Sequence, residues 1–227
     1  MPSLLNLHDL LAHEIDDLYS AEAQIIKALP KMVEKASDRE LKKALNEHLK
    51  VTQEQKSRLD KVKGLLKTPD TDMEKKGLLQ RLFGSHTICK GTEGLIEEGE
   101  KMMGEDMDPR VKDAAIIAAA QKIEHYEISG YGTARTYARE LGLTQVQKLL
   151  EATLREEYEA DQALTTLAVN KINLEAENPR PQPAKAAAPK AAPAKKSSPA
   201  KKPAAKKPVA KKAAPKKAAP KKAVKKN

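Results

Sequence analysis

Apolar residues recur at helical spacing over residues 7–36, at Leu7, Leu11, Leu18, Ile25, Leu29 and Met32, the period of one helix face. Pro30 falls inside this run and predicts a kink, because proline removes a backbone donor. SDRE comes next, with Ser37 as N-cap and Glu40 three residues on, the pattern of a capping box. A heptad register then runs through Leu41, Leu45, His48, Thr52, Gln55, Leu59, Val62 and Leu66, with leucines at both ends and polar groups in the middle. TPDTD at 68–72 reads as a loop. Glycines at 77, 84, 91, 94, 99 and 104 interrupt the pattern between residues 77 and 104, so a shorter helix is expected around EGLIEEGEKMM. Asp108-Pro109 is a helix start, N-cap then proline at the first helical position. That helix should run to about Leu141 and stop at Gly142 in the left-handed conformation. Thr144 with Gln147 is the expected cap of a last helix reaching about Asn173. No segment reads as a strand, and two long helix pairs joined by short turns predict an all-α antiparallel bundle.

One stretch breaks the amphipathic rule. QKIEHYEISGYG, residues 121–132, sets Glu124 and Glu127 on the same side as Ile117, Ala120, Ile128 and Tyr131. Ionised carboxylates are too costly to desolvate to be buried without partners. Counting from the turns brings candidates to the same height. Glu127 lies 15 residues before Gly142 and Glu157 lies 15 after it; Glu22 lies 15 before Ser37 and His48 lies 11 after it. The His48 offset is about 6 Å at 1.5 Å per residue. Asp161 sits one turn beyond Glu157. All four long helices therefore aim acid or imidazole inward at one level, with apolar layers on either side. Hard divalent iron or manganese takes such ligands, and four helices supply them from different directions, as a carboxylate-bridged two-metal site requires. A purely structural layer that fixes register is the alternative, with Lys50, Lys122 or Arg155 pairing some of the acids. Glu14 and His125 compete with Glu22 and His48 as lesser candidates. His86, Cys89 and Glu93 make a weak zinc pattern, since no second cysteine or histidine pair accompanies them; a packed free thiol is the better reading.

Composition divides the chain near Asn178-Pro179. Residues 179–227 hold 16 Lys, Arg180, ten of the 14 prolines and no acid. Subtracting those 17 basic residues from 42 leaves 25 Lys+Arg against 32 Asp+Glu, so the body is about −7 and the tail +17. The expected domains are a helical bundle over 1–178 and a disordered tail over 179–227. A single cysteine excludes an internal disulfide. No signal-peptide pattern or membrane-length apolar run is found, so a cytoplasmic protein without a membrane partner is expected.

The tail carries its own chemistry. Lysine pairs recur at Lys195, Lys196, Lys201, Lys202, Lys206, Lys207, Lys211, Lys212, Lys216, Lys217, Lys221, Lys222, Lys225 and Lys226. Each lysine is a point charge able to displace a counterion from a phosphate backbone. Without aromatics to stack on bases, binding to DNA should be independent of sequence and tolerant of RNA. Extended at ~3 Å per residue, the tail reaches up to roughly 150 Å. The competing reading is a solubilising spacer.

At LYSAEAQIIKALPKM, HLKVT, EGLIEE, AAAQKIEHYEISGYG and TLREEYEADQALTTLA, the body resembles the YciE/YciF-like stress proteins of the ferritin-like superfamily. The tail resembles those of linker histones and bacterial histone-like proteins. The resemblance covers nearly all of residues 5–175. It implies a ferritin-like four-helix bundle with an extra short helix, a homodimer or larger homo-oligomer, a bacterial stress role and, with the tail, a place at the nucleoid. The family's metal layer falls on Glu22, His48, Glu124, Glu127 and Glu157, with Asp161 beside it. The family tends to carry His-Leu-x-Glu-Thr where this chain has HLKVT, so Val51 stands in place of a carboxylate. That departure allows a mononuclear, weakened or absent iron or manganese site. Two functions are then open: a metal-binding stress protein tethered to DNA, or a metal-free architectural DNA binder whose core only dimerises.

Overall fold

The computed structural model describes residues 4–66 and 88–178. The expected loop at 68–72, the first glycines of the interrupted segment, His86 and the tail lie outside the described residues. Within them the elements are all helical: α1 (Leu7–Lys35), α2 (Arg39–Leu66), α3 (Lys90–Gly104), α4 (Pro109–Glu140) and α5 (Thr144–Leu167). A π-helical turn, Ala168–Ile172, leads into a last short helix, α6 (Asn173–Glu177). The paired helices α1/α2 and α4/α5 are joined by short turns, and α1 packs on α4 and α2 on α5. No described helix is long and apolar enough to cross a membrane.

The helix boundaries follow from local chemistry. Asn6 starts α1 by accepting the Asp9 amide, and α1 continues as one helix through Pro30. The cap of α2 is Asp38 rather than the expected Ser37: its Oδ1 accepts the amides of Glu40 and Leu41 at 2.8 and 3.0 Å. Ser37 is engaged elsewhere, because its amide and hydroxyl both donate to the buried Asp113 of α4. That carboxylate also accepts the Asp38 amide, and so ties the α1–α2 turn to the second hairpin. Asp108 caps α4 with Pro109 in its first turn, as expected. Gly142 has φ +70°, the left-handed stop. Thr144 does not cap α5; it is already the first helical residue, and Leu143 before it offers no side-chain acceptor. The last helix also differs from expectation. The π turn inserts before Asn173 and keeps both Ala168 and Ile172 buried, a register shift that the apolar spacing alone does not reveal.

Two apolar clusters fill the bundle. One includes Ile25, Leu29, Leu41, Leu45, Ile116, Ile117, Leu164 and Ile172. The other includes Leu11, Ile15, Leu18, Leu59, Val62, Tyr131, Val146 and Leu150. Cutting a fully buried leucine such as Leu41 or Leu150 to alanine costs about 2–5 kcal/mol. Between the clusters the four long helices bury polar side chains: Glu22, Thr52, Gln55, Glu124, Glu127 and Glu157.

Candidate metal centre

Glu22 on α1, Glu124 and Glu127 on α4, and Glu157 on α5 are 0–2% exposed. His48 on α2 faces them, with its Nε2 3.2 Å from Glu124 Oε1, yet the pair lacks hydrogen-bond geometry. The heptad of α2 places His48, Thr52 and Gln55 on one stripe, and Thr52 and Gln55 are fully buried there. Thr52 turns its hydroxyl back to the His48 carbonyl, so the threonine spends its donor within the helix.

Two groups of ligand atoms result, each with its atoms within 4.8 Å of one another. Glu22, Glu127 and Glu157 form an inner group; His48, Glu124 and Glu157 form an outer one. Glu157 belongs to both, the placement of a bridging carboxylate. Tyr131 donates its hydroxyl to Glu22 Oε1. Beyond that bond the layer is under-satisfied. Glu22 Oε2, Glu124 Oε2, Glu127 Oε1, both oxygens of Glu157 and His48 Nε2 have no hydrogen-bond partner. Buried polar atoms in folded proteins are nearly always paired, so six such ligand atoms converging on one region set this layer apart; Glu124 and Glu157 lie close enough to share a proton.

Electrostatics agrees. Burial, then repulsion from Glu157, pushes the Glu22 and Glu124 carboxyls well above the usual range. Burial followed by the Glu22 charge does the same for Glu127, and burial raises Glu157 to about 7. Burial lowers His48 to about 4, leaving a neutral imidazole with a free lone pair. None of these acids receives a lysine or arginine ion pair among the described residues. Lys122 and Arg155 pair outward with Glu98 and Glu159 instead. The donor set therefore fits hard divalent cations: carboxylate oxygens with one imidazole, and no thiol.

The remaining sequence candidates sit around this layer. Asp161 is outside both groups; its Oδ1 accepts from Gln121 Nε2 at 2.8 Å and lies 3.4 Å from His125 Nε2. His125 is largely exposed, and Glu14 is only half-buried, its carboxyl raised by burial. Sequence reasoning missed a bracket on the α2–α5 side. Arg58 forks onto Glu156 at 2.7 and 2.8 Å and also reaches Thr153 Oγ1, while Gln55 Nε2 reaches Glu156 Oε2. REEYEAD shows two adjacent glutamates, but nothing local says which of them turns toward a distant arginine. Cys89 is a buried free thiol, as expected. Its Sγ lies 3.0 Å from both Asp17 Oδ2 and the Tyr126 hydroxyl.

A four-helix bundle with a buried glutamate–histidine layer between two apolar clusters is the architecture of ferritin-like proteins. Residues 6–177 match the family described as Domain of unknown function (DUF892), and the chain belongs to that family. It is 39% identical over 176 residues to Protein YciF of Escherichia coli, covering 78% of this chain and 98% of that protein. The crystal structure of the E. coli stress protein YciF superposes with a TM-score of 0.66 at 38% identity, covering 75% of this chain and 99% of that one. YcfI of Rhodopseudomonas palustris gives 0.64 at 41% identity, covering 72% and 96%. A protein of Xanthomonas campestris pv. campestris, 19% identical with a TM-score of 0.53 over 76% and 99%, shares the fold. This chain is thus a helical relative of a bacterial stress protein. With 98% of YciF matched, that relative has no length left for a counterpart to residues 179–227.

Proposed function

We propose that this protein is a metal-binding stress protein tethered to nucleic acid. The observation that carries the reading is the set of unpartnered, buried ligand atoms on Glu22, His48, Glu124, Glu127 and Glu157. Glu22, Glu127 and Glu157 would hold one iron or manganese ion, and His48, Glu124 and Glu157 a second, with Asp161 steadied by Gln121 at the margin. Such an ion supplies one-electron redox chemistry toward peroxide or dioxygen. The chain's own part is to bind and orient: Tyr131 holds Glu22, burial keeps His48 neutral, and the Arg58–Glu156 bracket ties α2 to α5. Cation binding must displace protons from carboxyls that burial holds partly protonated, so uptake releases acid and strengthens as pH rises.

Residues 179–227 form a second domain in this reading, one that grips DNA, or RNA, through its lysine pairs. With 17 basic residues and no acid, the segment suits a sequence-independent phosphate binder, and a dimer would engage two tails at once. Calorimetric titration of the full chain with manganese tests the core: near-stoichiometric uptake with proton release is expected, lost in Glu127→Gln combined with Glu124→Gln. Uptake unchanged in that double variant contradicts it. A second reading rests on Val51, which removes a carboxylate from the α2 stripe: a metal-free bundle that only dimerises and presents the tails. It predicts no specific uptake in either protein, with DNA binding intact.

A further inference from the structure

We infer that the groove between α2 and α5 is the entry route for cations, and that they reach the inner ligand group by way of the outer one. The inference rests on the metal-binding reading above. The groove encloses about 220 Å³ and is floored by His48 and Glu124. Its walls are apolar: Ala44, Leu45 and Val51 from α2, Ala160, Ala163 and Leu164 from α5. Three acids, Glu47, Glu156 and Glu159, line it as well. Glu47 and Glu159 have side chains 62% and 71% exposed and hold only loose partners, Lys43 at 3.7 Å and Arg155 at 3.6 Å. Glu156 is pinned by Arg58.

This order of residues is that of a funnel. Exposed carboxylates with slack partners raise the local concentration of a divalent cation. Walls of alanine, valine and leucine offer no ligand atoms, so an ion is not held on the way. At the floor, Glu124 Oε2 and His48 Nε2 are buried and unpartnered, and receive the ion as it sheds water. Among the described residues the inner group is enclosed: Glu22, Glu127 and Glu157 are 0–1% exposed, and the fully buried Tyr131 ring backs Glu22. The shared Glu157 connects the two groups, so handing an ion inward needs only an exchange of partners on one carboxylate. Val51 is the side chain that keeps the groove passable, since a longer one there would occupy the space above His48.

The test is stopped-flow uptake of cobalt(II), followed by its visible absorption, in the full-length chain. Val51→Phe should slow uptake at least ~10-fold, as expected for a blocked path, with the final cobalt content unchanged. Glu159→Lys, at an exposed position that cannot perturb the core, should slow it a few-fold at low salt, with the difference shrinking as salt screens the rim. Wild-type rates in both variants, with cobalt bound normally, would overturn the route while leaving the metal reading intact. No cobalt bound by the wild type at equilibrium removes the metal reading and the route with it.

Discussion

Replacing Glu157 by glutamine should stabilise the metal-free protein at neutral and higher pH, while abolishing its response to metal. The side chain is fully buried, Glu124 and Gln55 are its polar neighbours, and burial raises its carboxyl from 4.5 to about 7. A raised carboxyl makes the folded state hold its proton longer than the unfolded chain does. Its contribution is therefore fully present below pH 4.5 and is lost as pH rises to about 7. Above that point the folded protein carries an ionised group at a cost of about 3 kcal/mol. Glutamine has the same shape and no charge, so Glu157→Gln should recover up to that amount at pH 8. At this size the gain corresponds to roughly 6–12 °C in Tm. At pH 4.5 the difference should nearly vanish. Thermal melts by circular dichroism across pH, in the presence of chelator, measure it. Adding manganese at a thousandfold excess over Kd should reverse the ranking, because the wild type gains about 4.1 kcal/mol and the variant does not. A variant destabilised equally at pH 4.5 and pH 8 would instead make Glu157 a paired structural carboxylate, and the burial argument would fail.

Other consequences can be checked directly. Asp113→Ala should cost about 2–4 kcal/mol in chemical denaturation, because three donors from Ser37 and Asp38 lose a charged acceptor. Gly91→Ala would place a Cβ 2.6 Å from the Tyr126 ring and should cost about 1–3 kcal/mol in the same assay; Gly94→Ala, with open space around it, should not. His48 acts opposite to the glutamates: its pKa falls from 6.5 to about 4, so its share of stability is lost as pH drops through that window, and His48→Gln should flatten the acid limb of the melting profile. Duplex DNA binding should weaken with salt at a slope near −7 in log K against log[salt] if about eight lysines engage, and should be indifferent to base sequence.

Much of the fold was legible because helical periodicity and turn chemistry agreed. The α2 heptad residues Leu41, Leu45, Thr52, Gln55, Leu59, Val62 and Leu66 are all buried, and Asp108-Pro109 and Gly142 bound α4 where sequence placed them. Equal counts from a turn translate into equal heights when helices are straight and antiparallel, which is how Glu22, Glu127 and Glu157 could be brought together on paper. The method fails where a choice depends on a distant partner. Ser37 looks like a cap, but Asp113, 76 residues away, claims its donors, and Asp38 takes over. Asp161 shares the face of Glu157 by spacing, yet one further turn carries it to Gln121 and out of both ligand groups. The Arg58–Glu156 fork joins residues 98 apart, and no local pattern selects which of two adjacent glutamates turns toward it. The π turn at Ala168–Ile172 likewise answers packing against neighbouring helices rather than any residue that announces it.

A buried carboxylate layer built around cations should be visible directly in crystals of the manganese-loaded full-length chain, measured at a wavelength where manganese scatters anomalously. Two peaks are expected in the layer, one among His48, Glu124 and Glu157 and one among Glu22, Glu127 and Glu157. A well-ordered layer with no peak, its carboxyls paired to each other through shared protons, would contradict the metal reading.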